Sequence, residues 1–513
     1  MIVHLASEVA PFYKRGGLGD VVGALPKYLS ERQQNVVISF FYENRMKGID
    51  LETKKSIQIS IQGIEYEFVY YHHHSEQIDY YFLNMSDRHI FSDQESGEGD
   101  KLLEDGEKPY QHNSSFFIYI YFAKAALKLI DTLKLLPEYL IFHDWHVCGC
   151  FGFRQLMENI RSERNYTTIL LIHNYEYQGE ILPDSLHLLT REAVEELSPV
   201  LEKYGTATLL SLGLKNADYV ATVSDSYAKE LEAGGLPHTG LKFLELIKRK
   251  KIYALPNGID PLLWSPQNSP YLAHPYTQFS ALEMKKKAKK ELSEKLQFSP
   301  SDDPVILMMA RLTEQKGITL LMNFWNDEET AMKNLQELLD QGVRLIVCGR
   351  PSGGTNGNVH KRFSLAAKRF PGRFCYLSEY NEELAHELLA ASDAVLCPSL
   401  FEPCGLVQIY GMSFGAVPVV RAVGGLRDTV KSYQQNPSVS TGFYIEEFNH
   451  SSLCMAFKQL VQLYKLQPEE WNKLVKRAMN EDFSWEKIRA VYFQFFDQIA
   501  EELIVEQIEE SLS

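Results

Sequence analysis

The sequence predicts an α/β protein of two domains, each with a parallel sheet, facing one cleft. Three observations lead there. A chain of 513 residues exceeds what one hydrophobic core usually supports, so two domains are expected. Short β-branched or aromatic runs alternate with helical patterns throughout, the pattern of βαβ units. Polar, chemistry-bearing residues follow the apolar runs in both halves, and in open α/β sheets ligands bind beyond the carboxyl ends of the strands.

In the first half the strands are read at "IVHLA", "NVVISF", "YLIFHD", "TTILLIH", "DYVATVS" and "KIYAL". The segment "EYEFVYYHHHSEQIDYYFLN" alternates like an inserted antiparallel hairpin, and residues 84–114 read as a polar loop. "LPNGIDPLLWSPQNSPYL" is rich in Pro, Asn and Ser without a clear period, which places a boundary at about 255–265. The domains are then 1–255 and 266–484, with a hinge at 256–265. In the second half come "PVILMMAR", "VRLIVCG", "RFCYLS", "DAVLCPS", "VPVVRAV" and "GFYIEE". The tail 485–513 repeats its aromatics and aliphatics at helical spacing, as one helix or two.

Composition narrows the function classes. A net charge of −15 argues against nucleic acid and anionic membranes as partners, since both need a basic face. The densest basic run, "MKKKAKKEL", reads as a solvated helix face. No apolar run is long enough to span a bilayer, and Met1 leads straight into strand-like sequence, so a mature cytoplasmic chain is expected. Seven cysteines, mostly in apolar stretches, suit reduced buried thiols.

The stretch "YKRGGLGDVVGALP" joins a strand to a helix through glycines, with Lys14, Arg15 and Asp20 close by. A dinucleotide fingerprint counted from Gly17 and Gly19 puts Val22 at the third glycine position, so that reading fails. An anion at the helix N-terminus and a plain turn both remain open. Other strand ends carry His143, Asp144, Trp145 and His146; His173 and Asn174; Arg311 and Lys316; Ser399, Glu402 and Cys404. "FEPCGLVQIYGMSFG" runs from a turn into a helix, with amides at Gly405 and Leu406 able to face an anion. With Lys14, Arg311 and Lys316, these sources of positive potential suit a diphosphate. His143 and His146 with Asp144, or the tract His72 to His74, lack a closed metal-ligand set, and no Gly-x-Ser-x-Gly elbow follows any strand.

At these residues the chain resembles the bacterial glycogen synthase and plant starch synthase family. The resemblance is carried by "SEVAPFYKRGGLGDVVGALP", "HDWH", "IHNYEYQGE", "TVSDSYAKEL", "NGID", "ARLTEQKG", "FEPCGL" and "GGLRDTV", in that order along nearly the whole chain. It implies a GT-B fold, two Rossmann-like domains facing a deep cleft, with the tail returning to the first domain. It implies retaining transfer of glucose from ADP-glucose to the non-reducing 4-hydroxyl of an α-1,4-glucan, with no metal or other cofactor. Lys14 and Gly17 would contact the donor phosphates, and Arg311 and Lys316 would neutralise the diphosphate. Glu402 would hold the transferred glucose and His173 would contact it. Asp144 and His146 would line the sugar and acceptor region beside Asn174, Asn257 would touch the sugar, and Tyr380 would pack on the nucleobase. Asp20 would follow the glycine loop, with an N-cap role as its plain structural reading. Leu400, Val407 and Asp225 depart from the family pattern, where Arg, Thr and Pro are usual, and "GRPSGGTNGNVH" is a longer loop. UDP-glucose as donor, a nucleotide-sugar epimerase and a catalytically silent glucan-binding regulator are the rival readings.

Overall fold

The computed structural model describes every residue except 44, 47, 52, 86–112, 182, 235–249, 298–300, 326, 352–355 and 513. Most of the expected polar loop and part of the longer second-half loop lie outside the described residues. By internal packing the chain forms two compact units, Met1–Gly258 with Trp485–Ser513, and Ile259–Ser484.

The first unit is built on β1 (Ile2–Leu5), β2 (Asn35–Phe40), β3 (Thr53–Ile61), β4 (Ile64–Ser75), β5 (Ile78–Met85), β6 (Tyr139–His143), β7 (Thr167–Ile172), β8 (Glu180–Ile181), β9 (Ala207–Thr208), β10 (Tyr219–Thr222) and β11 (Ile252–Ala254). Nine of these make one sheet in the order β11-β10-β7-β6-β1-β2-β5-β4-β3, while β8 and β9 pair separately. Every residue of β1, β2, β6 and β7 is buried. A parallel strand covered on both faces needs such an unbroken apolar run. At the β3 end the pairing turns antiparallel. The expected hairpin is therefore a three-stranded meander. Its first strand, "TKKSIQISI", is masked in sequence by two lysines, two serines and a glutamine, but Ile57, Ile59 and Ile61 alternate into the core. Gln62 and Gly63, at φ +56° and +75°, form the two-residue turn that joins β3 to β4.

The tail is one helix, Trp485–Leu512. It packs on the first unit through Tyr139 stacked on Phe496 at 4.6 Å, Arg32 over Phe493 at 4.2 Å, and Tyr219 Oη donating to Glu502 at 2.7 Å. Trp485, Tyr492 and Ile499 are fully buried. Gly258 permits this junction, because a Cβ there would lie 2.8 Å from Cα of Trp485.

The second unit has a six-stranded parallel sheet of β12 (Val305–Met309), β13 (Arg344–Cys348), β14 (Phe374–Leu377), β15 (Ala394–Cys397), β16 (Val417–Arg421) and β17 (Phe443–Ile445), in the order β14-β13-β12-β15-β16-β17. The basic run lies on the helix Ala281–Lys295 and is not wholly solvated, which corrects the sequence reading. Lys285 is buried and donates to the carbonyls of Leu389, Ala390 and Phe414, and burial pulls its ammonium down to about 7. Lys289 pairs with Asp393 at 2.7 Å. These two lysines cap carbonyls and a carboxylate that sequence spacing cannot reveal. All seven cysteines are free thiols. No described helix is long and apolar enough to cross a membrane.

Candidate active site

In the first unit the glycine loop is held through its backbone groups, by the Glu8 carboxylate and the Ala10 amide. Glu8 Oε2 accepts the N–H groups of Arg15 at 2.7 Å and Gly16 at 3.3 Å, and Ala10 N–H donates to the carbonyl of Gly19 at 3.0 Å. A Cβ on Gly19 would sit 2.6 Å from Cβ of Lys14, and one on Gly23 would sit 2.4 Å from the carbonyl oxygen of Ala10. The glycines thus let the loop fold back onto its helix. That helix, Gly17–Leu29, has Gly16 as its N-cap. Asp20 lies in the first turn and pairs with Lys14 Nζ at 2.9 Å, so the expected N-cap role is replaced by an ion pair. The amides of Gly17 and Leu18 fall in the first turn, where no helical carbonyl precedes them to accept.

At the end of β6, Asp144 takes φ +62°, a left-handed conformation that costs energy in any residue with a Cβ. Its Oδ1 accepts the N–H groups of His173 at 2.6 Å and Asn174 at 3.2 Å. Asp144 therefore sets the course of the chain leaving β7. Burial pushes its carboxyl up to about 7, against the pull of those two amides. His146 is buried against Trp145, with ring centroids 4.2 Å apart, and burial holds its imidazole down to about 3. Gly179, at φ +66°, leaves room for that indole, since a Cβ would lie 2.1 Å from Cε3 of Trp145. Asn174 Oδ1 accepts Glu176 N–H at 3.1 Å and shapes the turn. Asn257 is buried, and its Oδ1 has no hydrogen-bond partner among the described residues. His173 Nε2 meets His143 Nδ1 at 3.0 Å, and His143 Nε2 meets His4 Nδ1 at 3.1 Å. Neither His4 nor its partner Asn35 was singled out from sequence.

In the second unit two strand-end loops are clipped together. Leu400 N–H donates to the carbonyl of Gln315 at 2.8 Å, and Gln315 Nε2 donates to the carbonyl of Phe401 at 3.4 Å. Gly317, at φ +73°, has no room for a side chain, because a Cβ would meet the carbonyl oxygen of Pro398 at 2.1 Å. This close approach brings Lys316 to Glu402, with Nζ 2.6 Å from Oε2, and Ser399 Oγ donates to the same oxygen at 2.9 Å. Glu402 is only 7% exposed, and its Oε1 has no partner among the described residues. Gly425 N–H donates to the carbonyl of Glu402 at 2.9 Å, and a Cβ on Gly425 would lie 2.2 Å from the carbonyl oxygen of Cys404. Gly405 is at φ +71°, Leu406 is the N-cap of the helix Val407–Ser413, and Gln408 Nε2 ties down the carbonyl of Gly405 at 2.6 Å. Arg311 and Tyr380 are exposed. Leu400, despite its unusual side chain, keeps a backbone role, and Asp225 occupies the first turn of the helix Asp225–Ala233, where an acid suits the helix dipole as Pro suits its geometry.

The supporting residues were missed because their signals are weak. Gln315 and Glu8 lie inside motif-bearing stretches, but only folding shows that Gln315 reaches the carbonyl of Phe401 and Glu8 the amides of Arg15 and Gly16.

Residues 1–242 match the family model described as the starch synthase catalytic domain, and residues 289–479 match glycosyl transferases group 1. The chain is 32% identical to the glycogen synthase of Streptococcus sanguinis (strain SK36), over 97% of this chain and 99% of that protein. It is 30% identical to that of Bacillus cereus (strain Q1), over 98% and 100%. Among solved structures, the catalytic domain of starch synthase IV from Arabidopsis thaliana bound to ADP and acarbose is similar with a TM-score of 0.82 at 24% identity, covering 97% of this chain and 98% of that one. Anabaena HepE in complex with UDP and glucose is similar at 0.51 and 13% identity, covering 97% and 99%. These structural likenesses give the GT-B fold. With two full-length relatives at 30% identity or above, the chain belongs to the glycogen synthase family and is a glucosyltransferase.

Proposed function

We propose that the enzyme transfers glucose from ADP-glucose to the non-reducing 4-hydroxyl end of an α-1,4-glucan with retention of configuration. The observation that carries this reading is Glu402, a buried carboxylate with Oε2 held by Lys316 and Ser399 and Oε1 open. Such a group can hold a sugar hydroxyl and support positive charge at the anomeric carbon as the donor bond breaks. In the second unit Lys316 and Arg311, with the amides of Cys404, Gly405 and Leu406, then neutralise the departing diphosphate, and in the first unit Lys14 and the amide of Gly17 are the groups suited to phosphate oxygens. His173, Asp144, His146, Asn174 and Asn257 bind or position the sugars, and Tyr380 offers a ring to the base. Side-chain cations thereby perform the charge stabilisation that a divalent ion gives other transferases. ADP is preferred because Tyr380 suits a purine and because starch synthase IV is a protein solved with ADP. Seven free thiols and the absence of a membrane-length described helix support a cytoplasmic location.

The test is to incubate the purified protein with glycogen and either donor. Glucan growth from ADP-glucose is expected. Preference for UDP-glucose at equal concentration would reverse the donor assignment, and growth from neither would favour the silent glucan-binding regulator.

A further inference from the structure

Three histidines and an asparagine cross the first sheet as one hydrogen-bonded line. His4 lies opposite Val37 of β2, two residues beyond Asn35; it also lies opposite Ile141 of β6, two residues before His143. His143 in turn lies opposite Leu171 of β7, two residues before His173. Side chains two apart share a face, so each step moves one strand across and two residues along. The line climbs from the start of β2 to the ligand-bearing end of β7. His4, His143 and Asn35 are fully buried. Neighbouring rings stand nearly parallel, with centroids 5.4 and 5.3 Å apart.

The direction of the line is set at its far end. Asn35 Nδ2 lies 2.8 Å from the carbonyl of Gln33, which can only accept, so Oδ1 is the atom facing His4 Nε2 at 2.9 Å. His4 must then carry its proton on Nε2. Burial pushes His4 down to about 4, His173 down to about 3 and His143 well below its ordinary value, so all three rings are neutral near pH 7. A neutral His4 offers a bare Nδ1, which His143 Nε2–H must fill. His143 in turn offers a bare Nδ1, which His173 Nε2–H must fill. Reversing any link would set two donors or two lone pairs against each other in a buried place.

We propose that Asn35 and His4 are positioning residues for His173, fixing it as the Nε2–H tautomer so that Nδ1 presents a lone pair to a hydroxyl of the donor sugar. The sugar contact rests on the glucosyl transfer proposed above; the tautomer does not. Among the described residues His173 Nδ1 has no hydrogen-bond partner, as an acceptor reserved for substrate requires.

The tautomer can be read directly. In protein labelled with 15N-histidine, two-bond proton–nitrogen correlation spectra at neutral pH distinguish the two neutral forms and imidazolium, and loss of one signal set in His173→Gln assigns it. The wild type should show His173 protonated on Nε2 alone. In His4→Phe, His143 loses its acceptor and can donate from Nδ1 instead, so the Nδ1–H form of His173 should appear. kcat/KM for the donor should fall on the order of threefold to tenfold, the worth of one hydrogen bond. Asn35→Leu, a milder change, should move the tautomer the same way and serves if His4→Phe does not fold. An Nδ1–H or imidazolium His173 in the wild type overturns the proposal, as does an unaltered tautomer in a folded variant. An Nε2–H His173 in a protein that transfers no glucose would refute the functional reading and leave the relay standing.

Discussion

Replacing Glu402 by Gln isolates the charge of the carboxylate from its shape. The Gln carbonyl oxygen can still accept from Lys316 and Ser399, which stand 2.6 and 2.9 Å from Oε2 in the native side chain, so the loop should keep its form. What is lost is a negative charge beside the developing positive charge at the anomeric carbon. For two unit charges about 4 Å apart at an effective dielectric constant of about 20, the interaction is about 4 kcal/mol. Glu402 is 7% exposed, so water does little to screen it. At about 1.4 kcal/mol per tenfold change in rate, kcat should fall between a hundredfold and a thousandfold. Initial rates with saturating donor and glycogen give kcat, and a thermal melt checks that the variant folds. A folded Glu402→Gln enzyme within about tenfold of wild-type turnover would refute the reasoning and reduce Glu402 to a loop-holding residue.

Lys316→Ala and Arg311→Ala should lower kcat more than they raise KM, because negative charge on the diphosphate grows as the bond breaks; a rise in KM alone would mean uniform ground-state binding. Acid should destabilise the protein from about pH 6.5 downward. Burial depresses His4 to about 4 and His146 and His173 to about 3, so the unfolded chain takes up protons first, and each histidine contributes stability that is complete above its ordinary value and lost as pH falls toward its folded one. The slope is about 1.4 kcal/mol per pH unit for each, and His146→Asn should flatten denaturant-midpoint curves between about pH 6 and 4 by one such share. Asp144, raised to about 7, acts with the opposite sign: its contribution is complete below its ordinary value and is lost as pH rises toward 7, a loss that Asp144→Asn should remove. Deleting residues 485–513 strips Phe496 from Tyr139 and uncovers the site of Trp485, so proteolysis should cut the first unit faster; unchanged protection would place its stability elsewhere.

The parallel strands of both sheets were legible because doubly covered strands are continuous apolar runs, and periodicity is a local property. β3 was hidden because polar Ser56 and Gln58 alternate with its isoleucines, and only pairing with β4 shows which face turns inward. The chemistry-bearing residues were legible for a related reason: Lys14, His143, His173, Lys316 and Glu402 each follow or close an apolar run, where a parallel sheet presents its ligands. Their partners were not. Lys316 and Glu402 are 86 residues apart, and only the close approach at Gly317 and the Gln315 clip join them. Lys285 reads as one more solvated lysine until three carbonyls from two other segments converge on it. His4 sits 139 residues from His143, which is 30 from His173, and strand order and register alone make them one line. Sequence by itself determined which residue types stand at which strand ends, because those follow from local pattern. Tertiary structure decided who donates to whom, because a buried polar group must be satisfied by whatever the fold brings within about 3 Å of it.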